Sequence, residues 1–301
     1  MAIGDVTQAS AVSEDLYFVD TGMYDVEEYG AVYVIDAERP AIVDAGSGTN
    51  YERILAAIDR AGIDPEDLEV IALTHVHLDH AGGAGFIAAE TGAEVYVHEI
   101  GAPHIVDTER IWAGTKQAVG DQIDFYTEPE PVPESQVTRI EGGDTIDLGT
   151  HKLHAHHAPG HAPHQVIFEA PSMDAVFTAD AAGLYVPSVD ELHPTSPPPN
   201  FTLDQALSDV ETIRSLDPST LLYAHFGPAD TADRLAEYEI TLSNWTEMVA
   251  SAREEFGSDE AVIQHFVETV ETPPIWGERK AAAEIALNVR GVLVALDRGQ
   301  V

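Results

Sequence analysis

Four residues able to hold a metal ion fall within six positions of one another in "THVHLDHAGG": His75, His77, Asp79 and His80. They follow "LEVIALT", which reads as a buried strand, and precede "AGFIAAETG", which reads as a helix, so they occupy the turn between the two. At strand-like spacing His75 and His77 project to the same side, and their ring nitrogens can meet at one ion. Asp79 and His80 come where the chain curls toward the helix and can face a second point close by. The glycines behind them allow a tight turn. Three imidazoles and a carboxylate form a donor set suited to zinc, and iron or manganese fit the same ligands. The chain has no cysteine, so thiolate ligands, thiolate nucleophiles and disulfides are excluded.

Six of the fourteen histidines lie in a second stretch, "HKLHAHHAPGHAPHQ". His151, His154, His156 and His157 sit on an expected strand, where alternation buries some and exposes others. A low-complexity metal tract would need no ordered donors elsewhere in the chain. The run H-x-H-x-D-H at 75–80 resembles the metallo-β-lactamase superfamily. "APGH" (158–161), "TAD" (178–180) and "YAHFGP" (223–228) resemble that family's later metal-binding elements in order and spacing, and the resemblance covers roughly residues 12–230. Ala179 stands where the family usually has glycine, a departure not expected to alter ligation.

The resemblance implies an α/β fold, a four-layer αβ/βα sandwich. It also implies that His75, His77 and His161 hold one metal, that Asp79, His80 and His225 hold a second, and that Asp180 bridges them. His161 then supplies the third nitrogen of the first site. The expected cofactors are two divalent ions, Zn(II) first and Fe or Mn as alternatives. Two such ions share a water, lower its pKa and leave a hydroxide to attack an ester-like bond. A thioester or lactone is the favoured substrate, with β-lactam or phosphodiester hydrolysis as alternatives. A mononuclear iron enzyme similar to the persulfide dioxygenases is a redox alternative, and a noncatalytic metal-binding protein is a third. Asp79 is a candidate proton carrier. Tyr185, five residues beyond Asp180, is a candidate donor to a developing oxyanion. His164, His193, Trp112 and His104 are candidate pocket residues.

These residues need elements to hold them. "DLYFVD", "GAVYVID" and "PAIVDAGSG" read as antiparallel strands, and "NYERILAAIDRAG" as a helix with Ile54, Leu55 and Ile58 on one face. Strand and helix alternate from residue 41, which argues for a layered sheet. "YTEPEPVPES" (126–135) reads as a solvated linker or the base of a lid. Strand patterns restart after it at "QVTRI" and "DTIDLG", then "HKLHAHHA", "HQVIFEA" and "AVFTAD" follow. "LHPTSPPPN" reads as a surface loop, "TLDQALSDVETIRSL" as a helix, and "TLLYAH" as a strand. Residues 1–230 are expected to form the catalytic domain and 231–301 a C-terminal helical extension. The extension resembles that of glyoxalase II, but carries no cluster of basic residues and could equally cover a homodimer contact.

Composition limits the partners. Asp and Glu number 53 against 14 Lys and Arg, a net charge of −39, and only Lys116, Lys152 and Lys280 are lysines. A folded monomer of this mass exposes on the order of 12,000 Å², about one uncompensated charge per 300 Å². A small-molecule substrate is expected; nucleic acid and anionic membrane are not. No stretch of about 20 apolar residues offers a membrane span, and the first twenty residues lack the pattern of a secretory leader, so a cytoplasmic location is expected. Such charge opposes compaction in dilute buffer, and a Debye length of about 3 Å at 1 M salt screens it. The scarcity of lysine favours adaptation to molar salt over a merely acidic protein. The melting temperature should therefore rise between 0.1 M and 2 M KCl, and a flat or falling trace in a calorimeter would remove that reading.

Overall fold

The computed structural model describes all 301 residues, Met1 to Val301. One sheet runs in chain order through β1 (Val6–Gln8), β2 (Leu16–Asp20), β3 (Ala31–Ile35), β4 (Ala41–Val43), β5 (Val70–Ala72), β6 (Glu94–His98) and β7 (Val137–Ile140). Its pairs are antiparallel up to β4 and parallel from β4 to β7. Between these strands come α1 (Tyr51–Arg60), α2 (Leu78–Ala81), α3 (Ala84–Thr91), α4 (Ala102–Val106) and α5 (Glu109–Val119). A meander of β8 (Thr145–Asp147), β9 (Lys152–His157), β10 (Val166–Ala170) and β11 (Ala175–Ala179) begins the second sheet. A separate hairpin, β12 (Leu184–Val186) and β13 (Glu191–His193), follows. After α6 (Leu203–Leu216), β14 (Thr220–Tyr223) returns parallel to β11, and β15 (Gly227–Asp230) closes the edge. The chain ends in α7 (Arg234–Phe256), α8 (Asp259–Thr269) and α9 (Gly277–Arg298).

Period-two alternation divides each central strand between two cores. In β3, Ala31, Tyr33 and Ile35 join the core shared by the two sheets, while Val32 and Val34 join the core under α1 and α3. In β11, Phe177 faces the other sheet and Val176 faces the helices. The result is helix, sheet, sheet, helix, the four-layer α/β sandwich expected from the sequence. Leu235, Tyr238, Leu242 and Val249 of α7 share one cluster with Ile167, Val176 and Leu221 of the second sheet. Helix α7 thus joins α6 in the outer layer on this sheet, and α8 and α9 pack against α7. No helix is long and apolar enough to cross a membrane.

Three details differ from the sequence reading. "QVTRI" becomes β7, which pairs with β6, so the change of sheet falls after Ile140 and not at the proline-rich stretch. That stretch is anchored: Tyr126 and Val132 are buried, and the main chain at Glu130 lies where a Cβ on Gly85 would stand, 1.9 Å from its oxygen. Residues 102–119, given no element from sequence, form α4 and α5.

One buried carboxylate ties the fourth layer to the turn at 158–161. Asp209 of α6 accepts from Gly160 N at 2.6 Å and from Gln205 Nε2 at 3.2 Å. Gly160 has no room for a side chain, since a Cβ there would lie 2.2 Å from Ala206 N. Burial raises the Asp209 carboxyl to about 6, although the Gly160 and Gln205 hydrogen bonds pull the other way. A raised carboxyl favours the fold while protonated, and that contribution is lost as pH rises from about 4 through about 6. Asp209→Asn, measured by urea unfolding in molar salt with EDTA, should be more stable than wild type at pH 7.5 by on the order of 2 kcal/mol. The difference should vanish toward pH 4.

Candidate metal centre

All seven sequence-predicted donors converge at one edge of the sandwich. After β5 the chain stays extended through His77, whose ψ of 143° precedes the short helix α2 carrying Asp79 and His80. His161 lies in the turn between β9 and β10, Asp180 follows β11, and His225 follows β14. Main-chain hydrogen bonds pin the two sheets together here: Val166 N donates to Thr74 O at 2.8 Å, and Ala31 N to Ala224 O at 2.8 Å. The Tyr33 hydroxyl donates to Tyr223 O at 2.8 Å.

The end of β11 is built to turn Asp180 inward. Its register with β14 slips between Phe177 and Ala179, and Ala179 takes a φ of +48°. A side chain in this left-handed region costs about 1–2 kcal/mol. The alanine that departs from the family's usual glycine is therefore a strained residue immediately before the central carboxylate.

Two donor groups result. His77 Nδ1 is 3.1 Å from His75 Nε2 and 3.0 Å from His161 Nε2, and Asp180 Oδ2 is 3.3 Å from His161 Nε2. In the other group His80 Nε2 is 3.1 Å from His225 Nε2, and Asp79 Oδ2 is 3.8 Å from each. Asp180 Oδ1 lies 3.2 Å from His80 Nε2 and 3.6 Å from His225 Nε2. With metal–nitrogen bonds of about 2 Å, the edges of an octahedral or tetrahedral site are about 2.9–3.4 Å. The three nitrogen–nitrogen separations fall in that range.

Hydrogen bonds behind the rings fix which nitrogen faces inward. The carbonyl of Tyr29 can only accept, so His225 Nδ1 donates to it at 2.8 Å and leaves Nε2 as a lone pair. Asp44 accepts from His80 Nδ1 at 2.9 Å and from the Thr74 amide and hydroxyl, each at 2.9 Å. With its proton given to Asp44, the Thr74 hydroxyl accepts from His75 Nδ1 at 3.1 Å. Asp44 itself is held at a φ of +64°. Among the donor side chains two buried atoms have no hydrogen-bond partner, His161 Nδ1 and Asp180 Oδ1, and the latter faces the second donor group.

Charge favours a cation. Burial and neighbouring imidazoles hold His75 well below its ordinary pKa, and burial followed by His161 holds His77 down to about 3, so both are neutral ligands. Burial would raise the Asp180 carboxyl, but His161, His80 and His225 hold it well below the usual range. Burial disfavours charge on His80, yet Asp180, Asp44 and Asp79 outweigh it and push its pKa up. The first group thus offers neutral imidazoles to a divalent ion, and at the second the carboxylates that favour a proton on His80 favour a metal cation in its place.

A cleft of about 320 Å³ opens over His77, Asp79, His161, Asp180 and His225. Of the candidate pocket residues, His164 and His104 line it. His193, Trp112 and Tyr185 do not. His193 packs against Trp276 with ring centres 4.9 Å apart and the rings tilted by 54°, and Lys116 sits over the Trp112 ring at 4.5 Å. Tyr185 is a correction to the sequence reading. Alternation in β12 points Leu184 and Val186 toward the site and Tyr185 into the helical layer. Its hydroxyl lies 3.1 Å from both Asp190 Oδ1 and Arg234 NH2, with the Arg234 guanidinium stacked on its ring.

The sequence reading missed the aromatic and polar walls. Tyr24, Tyr29 and Tyr126 line the cleft, and the hydroxyls of Tyr24 and Tyr126 share a hydrogen bond. Glu284 of α9 also lines it, accepting from Lys280 Nζ at 2.6 Å, the Tyr29 hydroxyl at 2.8 Å and Asn288 Nδ2 at 2.8 Å. The Lys280 ammonium lies over the rings of Tyr24 and Tyr29 at 3.8 and 3.9 Å. The series Lys280, Glu284 and Asn288 at i, i+4 and i+8, on one face of α9, was the available signal.

The family model described as "Metallo-beta-lactamase superfamily" matches residues 26–225. The metallo-beta-lactamase fold-containing protein ST1585 of Sulfurisphaera tokodaii is 26% identical over 217 residues, 70% of this chain and 78% of that one. Its crystal structure superposes with a TM-score of 0.72 at 24% identity, covering 92% of this chain and 98% of the other. The acyl-coenzyme A thioesterase MBLAC2 of Gallus gallus is 26% identical over 182 residues, 55% of this chain and 62% of its own. The exodeoxyribonuclease WalJ of Streptococcus pneumoniae is 40% identical over 68 residues, 22% of this chain and 24% of its own.

Metal content separates the donors from the other histidines. His161→Ala should lose bound metal. Asp44→Asn, which weakens the hold on His80 and Thr74, should lower metal affinity by about 10–100-fold. His154→Ala, at a ring bonded to Thr145 Oγ1, should keep wild-type content by mass spectrometry of the desalted protein.

Proposed function

The chain belongs to the Metallo-beta-lactamase superfamily, and on that premise we propose that it is a dinuclear metal-dependent hydrolase of an acyl bond, a thioester or lactone. His75, His77 and His161 hold one ion, Asp79, His80 and His225 the other, and Asp180 lies between them. The observation that carries this reading is the disposition of Asp180, whose Oδ2 is 3.3 Å from His161 in one group and whose Oδ1 is 3.2 Å from His80 in the other. Zn(II) suits a nitrogen and oxygen set with no redox demand.

Two divalent ions held here would supply an activated water as nucleophile at neutral pH and Lewis acidity toward the acyl oxygen. The protein supplies the rest. Asp180 offsets the repulsion between two cations and sets their spacing. Asp79 lines the cleft and keeps 23% side-chain exposure. Burial would raise its carboxyl, but His80 and His225 keep it ionised, so it can accept a proton from the attacking water and pass it to the leaving group. Tyr24, Tyr29, Leu78 and Tyr126 form a largely apolar wall that excludes bulk water and strengthens these interactions.

An acyl substrate is supported by the thioesterase among the relatives, similar over 182 residues. Phosphodiesters in nucleic acid are disfavoured by the net charge of −39, and the nuclease likeness is confined to 68 residues. A single-iron oxygenase would leave Asp79, His80 and His225 without a role.

Protein loaded with Zn(II) and desalted at 2 M KCl should carry close to two ions per chain and hydrolyse thioesters or lactones in a panel with nitrocefin and bis-nitrophenyl phosphate. EDTA should abolish turnover and Zn(II) restore it. One ion per chain at full activity would overturn the dinuclear reading, and oxygen uptake with a persulfide would replace hydrolysis by oxidation.

A further inference from the structure

In a chain with 53 acidic and 14 basic residues, a cation without a partner is unusual. Nine of the eleven arginines donate to a carboxylate or a main-chain carbonyl. The two with no hydrogen bond and no carboxylate within 4 Å are Arg110 and Arg290. Arg110, near the start of α5, is the one Arg or Lys lining the metal cleft. Its neighbours do not neutralise it, since Asp107 is turned to the start of the helix, where it accepts from Glu109 N at 3.2 Å. The other charged groups of the cleft are engaged: Asp79 and Asp180 face the histidines, and Glu284 is bonded to Lys280.

We propose that Arg110 is a specificity-determining residue that binds a single carboxylate carried by the substrate away from its scissile acyl bond. The inference rests on the hydrolase reading and narrows it to acyl compounds with one remote negative charge. A guanidinium presents a planar fork matched to a carboxylate and needs no other cation to hold it. One guanidinium balances one charge. The multiple phosphates of a coenzyme A arm would meet no second Arg or Lys in the cleft and the field of an acidic surface beyond it. His104 of the adjacent α4 lines the same cleft; burial, then the Arg110 charge, lower its pKa and keep it neutral, so it adds no second charge.

The test uses zinc-loaded full-length protein at 2 M KCl and two S-phenyl thioesters of glutarate, one with a free terminal carboxylate and one with that carboxylate as a methyl ester. Wild type should prefer the free acid in kcat/KM, and Arg110→Gln should reduce that preference about tenfold, the loss falling on KM and not on kcat. Arg110→Lys should restore part of it, and metal content should not change. Calorimetry with glutarate and monomethyl glutarate gives a readout without turnover: both offer one carboxylate to the metals, and wild type but not Arg110→Gln should bind glutarate more tightly. Equal binding of the two by wild type, or an unchanged preference in Arg110→Gln, overturns the proposal. If neither thioester is hydrolysed while glutarate still binds more tightly than its methyl ester in an Arg110-dependent way, the hydrolase reading fails and the anion site stands. A preference for acetyl-coenzyme A over both thioesters would also overturn it.

Discussion

Everything at the metal centre depends on one carboxylate presenting its two oxygens to two different sets of histidines. Each set draws on both sheets: His75, His77, Asp79 and His80 follow β5 of the first, while His161, Asp180 and His225 follow strands of the second. Contacts of 3.0–3.8 Å between them survive only if the sheets cannot slide. The core of Tyr33, Phe168, Phe177 and Leu222 supplies the packing, and interiors of this kind resist displacement because each side chain fills a shaped space. The bonds from Val166 to Thr74, Ala31 to Ala224 and Tyr33 to Tyr223 add direction at the edge where the donors lie.

That geometry is held against local cost. Ala179 and Asp44 both sit at positive φ, one immediately before the Asp180 carboxylate and the other as the partner of His80. Neither conformation would persist in an isolated segment; the register slip of β11 and the three hydrogen bonds to Asp44 over-determine them. Burying Lys280 and Glu284 is a similar case. Desolvating an ion pair costs several kcal/mol per charge, and it is tolerated because Glu284 has three donors and Lys280 lies over two aromatic faces.

The donors were legible because their chemistry leaves a linear trace: H-x-H-x-D-H, the Pro-Gly before His161, and the strand ends before Asp180 and His225 all show as short motifs. The layers were legible from alternation. What failed to show had a physical reason in each case. Helix α5 buries none of its residues fully, because its apolar side, with Ile111, Ala118 and Val119, faces the cleft and not a closed core. "GPAD" lacks strand-forming residues and becomes β15 only by pairing with β14 at an edge. Tyr185 was placed by distance along the chain from Asp180, whereas the pleat of β12 decides its direction. The walls from Tyr24, Tyr126 and Glu284 come from segments remote in sequence, joined only by the tertiary fold.

The position of α9 has a bearing on how the protein is made. All seven donors have been synthesised once His225 is added, but the helix that brings Glu284 and Lys280 to the cleft begins at Gly277, some fifty residues later. At the usual pace of translation of about 5–20 residues per second, that interval lasts about 3–10 seconds. A nascent chain therefore passes through a stage in which every candidate donor exists and one wall does not, with the cleft open on the side that α9 later covers.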